Sequence, residues 1–270
     1  MIIYALIARI LAVRVITLFY SKGNEMRFGI IADIHANLEA LTVALQTLND
    51  FGVDQIICLG DVVGYNANPV ECLSLIIDNE IPSIKGNHER YIVGEKEEHV
   101  KADTAQMLEW TRQQLSPMHK EFISQQMPNK MLHEEGFLLT HGSPRNKDEY
   151  LIPLISFVDN LRYMEEKYPD IPVCFHAHSH LPSVMARGHM LQNIVSDKLV
   201  ELHKDKQYLI NPGSVGQPRD KCPLSSFGVF DTDQFTFQFF RREYDVATTQ
   251  EKIRRLGFAP RFAERLATGK

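Results

Sequence analysis

The chain has four cysteines, Cys58, Cys72, Cys174 and Cys222, and no two of them are close enough for a C-x-x-C pair. Cys58 and Cys174 lie inside apolar runs, so they read as buried free thiols of a reducing compartment rather than a disulfide framework. There is no Lys/Arg block: 29 basic residues face 34 acidic ones, for a formal net charge of -5. Without a basic stripe, stable nucleic-acid binding is not expected. No Pro/Gly/Ser-rich linker or charge run divides the chain, which favours one large domain over two, and there is no internal repeat or low-complexity tract. The 270 residues are 44% hydrophobic and 23% charged, ordinary globular composition with ample length for a buried core.

One long hydrophobic run is present, Met1 to Tyr20, broken by Arg9, Arg14 and Thr17. About 20 apolar residues would span a bilayer, but each mid-span Arg costs roughly 2.5–3.5 kcal/mol on insertion scales. A secretory signal fits less well, since no basic segment precedes the run and no small-residue cleavage site follows it. Met26 opens directly into Arg27-Phe28-Gly29-Ile30-Ile31-Ala32, which has the pattern of a first core strand. The preferred reading makes residues 1–25 an apolar N-terminal extension arising from an over-long start, with 26–270 a single cytoplasmic domain. A peripheral or spanning anchor is the alternative, and only that reading brings membrane contact.

From Met26 onward, apolar runs alternate with helical periodicity. Strands are expected at Phe28–Ala32, Gln55–Leu59, Pro82–Lys85, Gly136–Thr140 and Ile171–Phe175. Helices are expected at Leu38–Phe51, Pro69–Asp78, Glu95–Gln126 and Leu154–Lys167, and β signals recur at Tyr208–Ile210, Ser226–Asp231 and Gln234–Arg241 before a last helix near Thr248–Leu256. Alternation in front and strand-rich sequence behind argue an α/β protein with two packed sheets.

Metal-capable side chains follow these strands in a fixed order: Asp33-Ile34-His35, Gly60-Asp61, Gly86-Asn87-His88-Glu89, His141-Gly142 and His178-Ser179-His180. In open α/β sheets the crevice outside the carboxyl ends of strands is where ligands bind, so five strand ends would converge on one site. Asp33/His35 and His178/His180 are i, i+2 pairs, whose side chains in extended backbone point the same way. The first pair can grip one ion; the second can serve one ion or be divided between two. A single turn Asp or Asn, or a lone His, is usually a turn former or a packed residue; His99, His119, His133, His189 and His203 are read so. His176 alternates away from its neighbours, and no Asp-His follows His180, which excludes an H-x-H-x-D-H metal motif.

In order and content these segments resemble the calcineurin-like metallophosphoesterase superfamily, whose pattern runs D-x-H, G-D, G-N-H-[DE], H and G-H-x-H. The small bacterial and archaeal subgroup is also similar at Gly60-Asp61-Val62-Val63-Gly64-Tyr65 and Asn211-Pro212-Gly213-Ser214-Val215-Gly216. The resemblance implies a four-layer β-sandwich of two mixed sheets flanked by helices. It also implies one ion on Asp33, His35 and His180, another on Asn87, His141 and His178, Asp61 bridging both, and His88 facing substrate. Three positions depart from the pattern: Gly64 stands where many relatives carry a second Asp, Glu89 replaces the commoner Asp, and Ala177 replaces a Gly.

Carboxylate, amide and imidazole ligands without cysteine suit Mn²⁺, Fe or Zn²⁺, with Mn²⁺ favoured. Two such ions imply a phosphodiesterase or phosphatase that attacks phosphorus in line with a bridging hydroxide. The expected partner is a small phosphorylated substrate, nucleotides and dinucleoside polyphosphates included. Asn37, Tyr65, Asn66 and Arg219 sit in loops that border the expected site, and the Asn211-Pro212-Gly213-Ser214 loop either supports it or touches substrate. The competing reading is a non-catalytic metal-binding interaction module on the same fold.

Overall fold

The computed structural model describes residues 26–96 and 100–270, so the apolar extension at 1–25 lies outside the described residues. The chain opens with β1 (Arg27–Ile31), α1 (Leu38–Phe51), β2 (Gln55–Cys58) and α2 (Pro69–Asp78). Then come α3 (Asn87–Ile92), α4 (Ala102–Gln114), α5 (Pro117–Gln126), β3 (Lys130–Leu132), β4 (Phe137–Thr140), α6 (Leu154–Lys167) and β5 (Val173–Phe175). The remainder is β6 (Ser183–Ala186), β7 (Gln192–Asn193), β8 (Lys198–Glu201), β9 (Tyr208–Asn211), β10 (Ser225–Asp231), β11 (Thr236–Arg242), α7 (Val246–Arg255), α8 (Pro260–Glu264) and a 3₁₀ turn at Arg265–Ala267.

Two mixed sheets are formed, in the orders β2-β1-β10-β11-β8 and β3-β4-β5-β9-β6-β7. β1 and β2 pair in parallel, as do β4, β5 and β9, and the remaining pairs are antiparallel. Strand alternation separates the faces. Phe28 and Ile30 of β1 join Phe137, Phe175, Phe230 and Phe237 between the sheets. Ile31 turns outward onto Leu41 and Leu48 of α1 and Ile76 of α2. On the other outer face Leu138, Cys174 and Leu209 meet Leu161 and Met164 of α6. The result is helix, sheet, sheet, helix.

Two expected elements come out differently. The run expected to be one helix over Glu95–Gln126, of which residues 97–99 lie outside the described residues, becomes helical at Ala102 and is two helices, because Leu115 is extended and Ser116 caps α5, with Pro117 in its first turn. Ser116 Oγ accepts from His119 N at 3.3 Å, and a proline is tolerated where no intrahelical donor is required. The strand expected at Pro82–Lys85 is reduced to a single bridge, Cys58 to Ser83. Among the described residues no helix is long and apolar enough to cross a membrane.

Candidate metal centre

Asp33 and His35 follow β1, Asp61 follows β2, Asn87 opens α3, His141 follows β4, and His178 and His180 follow β5. Asp33, His35, Asp61, His141, His178 and His180 are 0–4% exposed, and Asn87 is partly open. The backbone that carries them is not extended. Asp33 (φ 51°), His35 (50°), Asp61 (53°), His178 (67°) and His180 (59°) are all left-handed. Non-glycine residues avoid this region at a cost of about 1–3 kcal/mol each unless the surroundings hold them. The i, i+2 pairs therefore share the site through coiled loops, which corrects the extended-backbone argument made from spacing. Cross-loop hydrogen bonds hold these turns: Asp33 N to Gly60 O at 3.0 Å, His35 N to Asp61 O at 2.8 Å, and Ala177 N to His141 O at 2.8 Å.

Asp33, His35, Asp61 and His180 form one group able to hold an ion, and Asp61, His141 and His178 a second, with the ligand atoms of each group within 4.8 Å of one another. Asp61 belongs to both: its Oδ2 lies 3.6 Å from His35 Nε2 and 3.3 Å from His141 Nε2. Asn87 Oδ1 joins the second group, 3.2 Å from His141 Nε2. The ring nitrogens facing away from the centre are taken by backbone carbonyls: His35 Nδ1 by Val63 O at 3.3 Å, His141 Nδ1 by Leu59 O at 2.8 Å, and His180 Nδ1 by Gln217 O. A carbonyl can only accept, so each of these Nδ1 atoms carries a hydrogen and Nε2 is the nitrogen turned inward, free to ligate once it holds no proton. His35 Nε2 and His180 Nε2 then face each other at 3.2 Å, and His141 Nε2 faces His178 Nδ1 at 3.2 Å. Lone pairs at this distance repel unless a cation or proton lies between them.

The electrostatics make the same demand. Burial pushes the Asp33 carboxyl up to about 7, against the pull of His141, and its Oδ1 is buried without a hydrogen-bond partner. Burial would lower His141, but the charge of Asp61 overcomes it and raises the imidazole to about 9. Burial would likewise raise Asp61, yet His141, His88 and His35 hold it well below the usual carboxylate range. His35, His178 and His180 are held neutral by burial, the state in which imidazole ligates. The cluster is short of positive charge, and its oxygen and nitrogen donors fit divalent ions.

Around this centre, Glu89 has a role the sequence reading underestimated. Fully buried, its carboxylate accepts from the backbone N–H of Asp61 (2.7 Å), Val62 (2.8 Å), Val63 (3.2 Å) and Gly86 (2.8 Å). It clamps the Asp61 loop to the start of α3. A Cβ on Gly86 would lie 2.0 Å from Asp61 Oδ1, and one on Gly64, where φ is +89°, 2.0 Å from His88 Nδ1. The missing second Asp at position 64 thus has a steric reason: the His88 ring occupies the space its side chain would need. His88 donates its backbone N–H to Asp61 Oδ1 at 2.9 Å, and its ring packs on His35 and Tyr65.

Two of the four loop residues expected to border the site are internal instead. Asn37 caps α1 and donates to Gly216 O, and Asn66 donates to His35 O; both are fully buried. Tyr65 packs on His35 at 4.7 Å between ring centres, and Arg219 lies close enough for its charge to act on Asp33, His35, His178 and His180. The Asn211-Pro212-Gly213-Ser214 loop supports the centre: Ser214 Oγ donates to Asp33 O at 2.8 Å, and Asn211 Nδ2 to Ala177 O. Tyr150, which sequence reasoning missed, lies flat on His178 with ring centres 3.7 Å apart; nothing in its local pattern marks it. His176 is fully buried, with Phe157 against its ring and neither ring nitrogen hydrogen-bonded. His119, His133, His189 and His203 stay outside both ligand groups, and His99 lies outside the described residues.

Two mixed sheets flanked by helices, with buried Asp and His side chains converging at one end, define the metallophosphoesterase architecture. The chain belongs to the calcineurin-like phosphoesterase superfamily, whose domain model matches residues 26–234. It is 35% identical over 251 residues to the uncharacterized protein MJ0912 of Methanocaldococcus jannaschii, covering 90% of this chain and 98% of that protein. A metallophosphoesterase from Sphaerobacter thermophilus superposes with a TM-score of 0.77 at 34% identity, covering 92% of this chain and 100% of that one. Hypothetical protein PH1004 from Pyrococcus horikoshii OT3 shares the fold, with a TM-score of 0.74 at 18% identity and coverage of 91% and 99%.

Proposed function

We propose that this protein is a two-metal phosphoester hydrolase. In this reading Asp33, His35 and His180 hold one divalent ion, Asn87, His141 and His178 hold the other, and Asp61 serves both. The observation that carries it is the single Asp61 oxygen facing His35 and His141 at 3.6 and 3.3 Å, which joins two donor groups through one carboxylate. When bound, the ions supply a water acidic enough to ionise near neutral pH and neutralise charge on the phosphoryl oxygens. The chain supplies the rest. Backbone carbonyls orient the imidazoles, Glu89 fixes the Asp61 loop, and the turns after β1, β2, β4 and β5 keep the donors converged. Mn²⁺ is the favoured ion, with Fe and Zn²⁺ compatible with the same donors. The substrate is a small phosphate monoester or diester.

His88 is assigned to the leaving group or to a phosphoryl oxygen, because its ring is packed beside His35 while its backbone N–H is tied to Asp61. His88→Ala is expected to lower turnover by about 10²- to 10⁴-fold, the usual contribution of a positioned proton donor, with metal content unchanged. Loss of metal together with turnover would make His88 structural instead.

The test of the reading itself is hydrolysis of bis-p-nitrophenyl phosphate and p-nitrophenyl phosphate by metal-stripped chain, with and without added Mn²⁺. Turnover is expected to appear with Mn²⁺ and vanish on chelation, and the preferred substrate separates diesterase from monoesterase. Folded, metal-loaded protein that turns over neither would favour the interaction-module reading.

A further inference from the structure

Three rings meet at the edge of the centre. Ring centres are 4.7 Å apart for His35 and His88, 4.6 Å for Tyr65 and His88, and 4.7 Å for His35 and Tyr65. Aromatic rings in this range pack favourably and in preferred orientations. Each corner of the triangle is placed by a different part of the chain. His35 is fixed by its position among the metal-capable groups and by Val63 O, 3.3 Å from its Nδ1. His88 rides on α3, where its backbone N–H donates to Asp61 Oδ1. Tyr65 belongs to the loop after β2, in left-handed backbone at φ 64°, and its N–H donates to Met107 Sδ of α4 at 2.8 Å. Tyr65 also reaches the C-terminal part of the chain. It packs against the apolar cluster that α4 shares with α7, α8 and the turn after them. Its ring centre lies 5.7 Å from that of Phe262, a fully buried residue of α8. The match to the family's domain model ends at residue 234, so this backing comes from outside the matched domain.

A proton donor acts only within hydrogen-bond reach of the atom that receives the proton, and a misplacement of about 1 Å can cost about 10²-fold in rate. An imidazole turns about two bonds, the second of them with broad preferences, so its ring is aimed by the walls around it. On the β2 loop, Gly64 offers no side chain to that wall, because a Cβ there would lie 2.0 Å from His88 Nδ1. Tyr65 is the side chain of this loop that bears on the His88 ring.

We propose that Tyr65, backed by Phe262 of α8, is a positioning residue that holds the His88 ring in its working orientation. The C-terminal helices then act on the reaction through this one side chain. The proposal rests on the two-metal hydrolase reading for the role of His88. In the Mn²⁺-loaded full chain, Tyr65→Ala is expected to lower kcat on the preferred p-nitrophenyl ester by at least about tenfold, part of what a positioned proton donor contributes. KM should change by less than about twofold, and metal content should be kept. In a His88→Ala background the same substitution should change kcat by less than about twofold, because residues that act through one group are not additive. Tyr65→Phe, which keeps the ring, should recover most of the loss, and Phe262→Leu should lower kcat in the same direction by less. Melting curves establish that each variant is folded, and Tyr65→Leu replaces the Ala variant if that one is not. A loss that persists without His88 gives Tyr65 a role of its own and overturns the proposal, as does a Tyr65→Ala chain with the native rate. Phe262→Leu at the native rate overturns the part given to α8. A second readout needs no turnover. Crystal structures should show the His88 ring in one orientation in the native chain and Tyr65→Phe, and turned or spread over several in Tyr65→Ala. A native chain that hydrolyses neither ester would sink the hydrolase reading, while an unmoved His88 ring in Tyr65→Ala would sink the positioning assignment separately.

Discussion

Asp61→Ala is expected to abolish measurable Mn²⁺-dependent turnover, by about 10²- to 10³-fold at least, the loss typical of removing one charge-stabilising group. Metal content, read by mass spectrometry on the desalted chain, should fall from about two ions to one or none. Both effects follow from the same atom: Oδ2 of Asp61 is the donor that the His35 and His141 groups share. The other oxygen has a separate role, because Oδ1 accepts the His88 backbone N–H. A stranded buried donor costs about 1–3 kcal/mol, so the Ala variant should also melt earlier. Asp61→Asn separates the two, since it can keep an acceptor for His88 while removing the charge. An Asp61→Ala protein that kept both ions and its activity would end the bridging assignment.

The second large effect is expected at Glu89 and concerns stability first. Its two oxygens satisfy four backbone N–H groups, those of Asp61, Val62, Val63 and Gly86, in a fully buried position. Glu89→Ala strands all four. At about 1–3 kcal/mol per unsatisfied donor, the total is comparable with the whole stability of a typical domain, about 5–15 kcal/mol. Unfolding or insoluble expression is the expected outcome. Glu89→Gln should be milder but still damaging, because an amide has one acceptor oxygen and its NH₂ would face a pair of N–H groups. Thermal melts of the two variants check the order, native above Gln above Ala. A Gln variant as stable as the native chain would show that the clamp is not needed.

Much of this could be read from the sequence, and the parts that could not have physical reasons. The bounds of α2 and α6 were readable to the residue, because amphipathic periodicity with a proline or apolar run at the start leaves little latitude. β3, β7 and β8 were not, since two- to four-residue edge strands with exposed positions carry no alternation to detect. α3 has no helical signature in the sequence, because its first residues, Asn87-His88-Glu89, are polar and its six residues show too little periodicity. The five strand ends that meet at the centre were legible from motif order. Their left-handed backbone was not, because it is imposed by hydrogen bonds between loops distant in sequence, such as Val215 N to Ala32 O and Gly216 N to Asp33 O. The same loop-to-loop network turns Asn37 and Asn66 inward, where composition alone suggested polar residues at a rim.

The left-handed turns have a further consequence, and it concerns time rather than affinity. Six of the seven donors are 0–4% exposed, on loops stitched to one another across the sheet end, and Asn87 alone among them is partly open. An ion then enters or leaves past Asn87 or waits for a loop to open locally, so exchange is expected to be slower than at an open surface site. Stripping with a chelator and reloading with Mn²⁺ should then take time as well as excess ion, so the length of incubation belongs to the activity measurement.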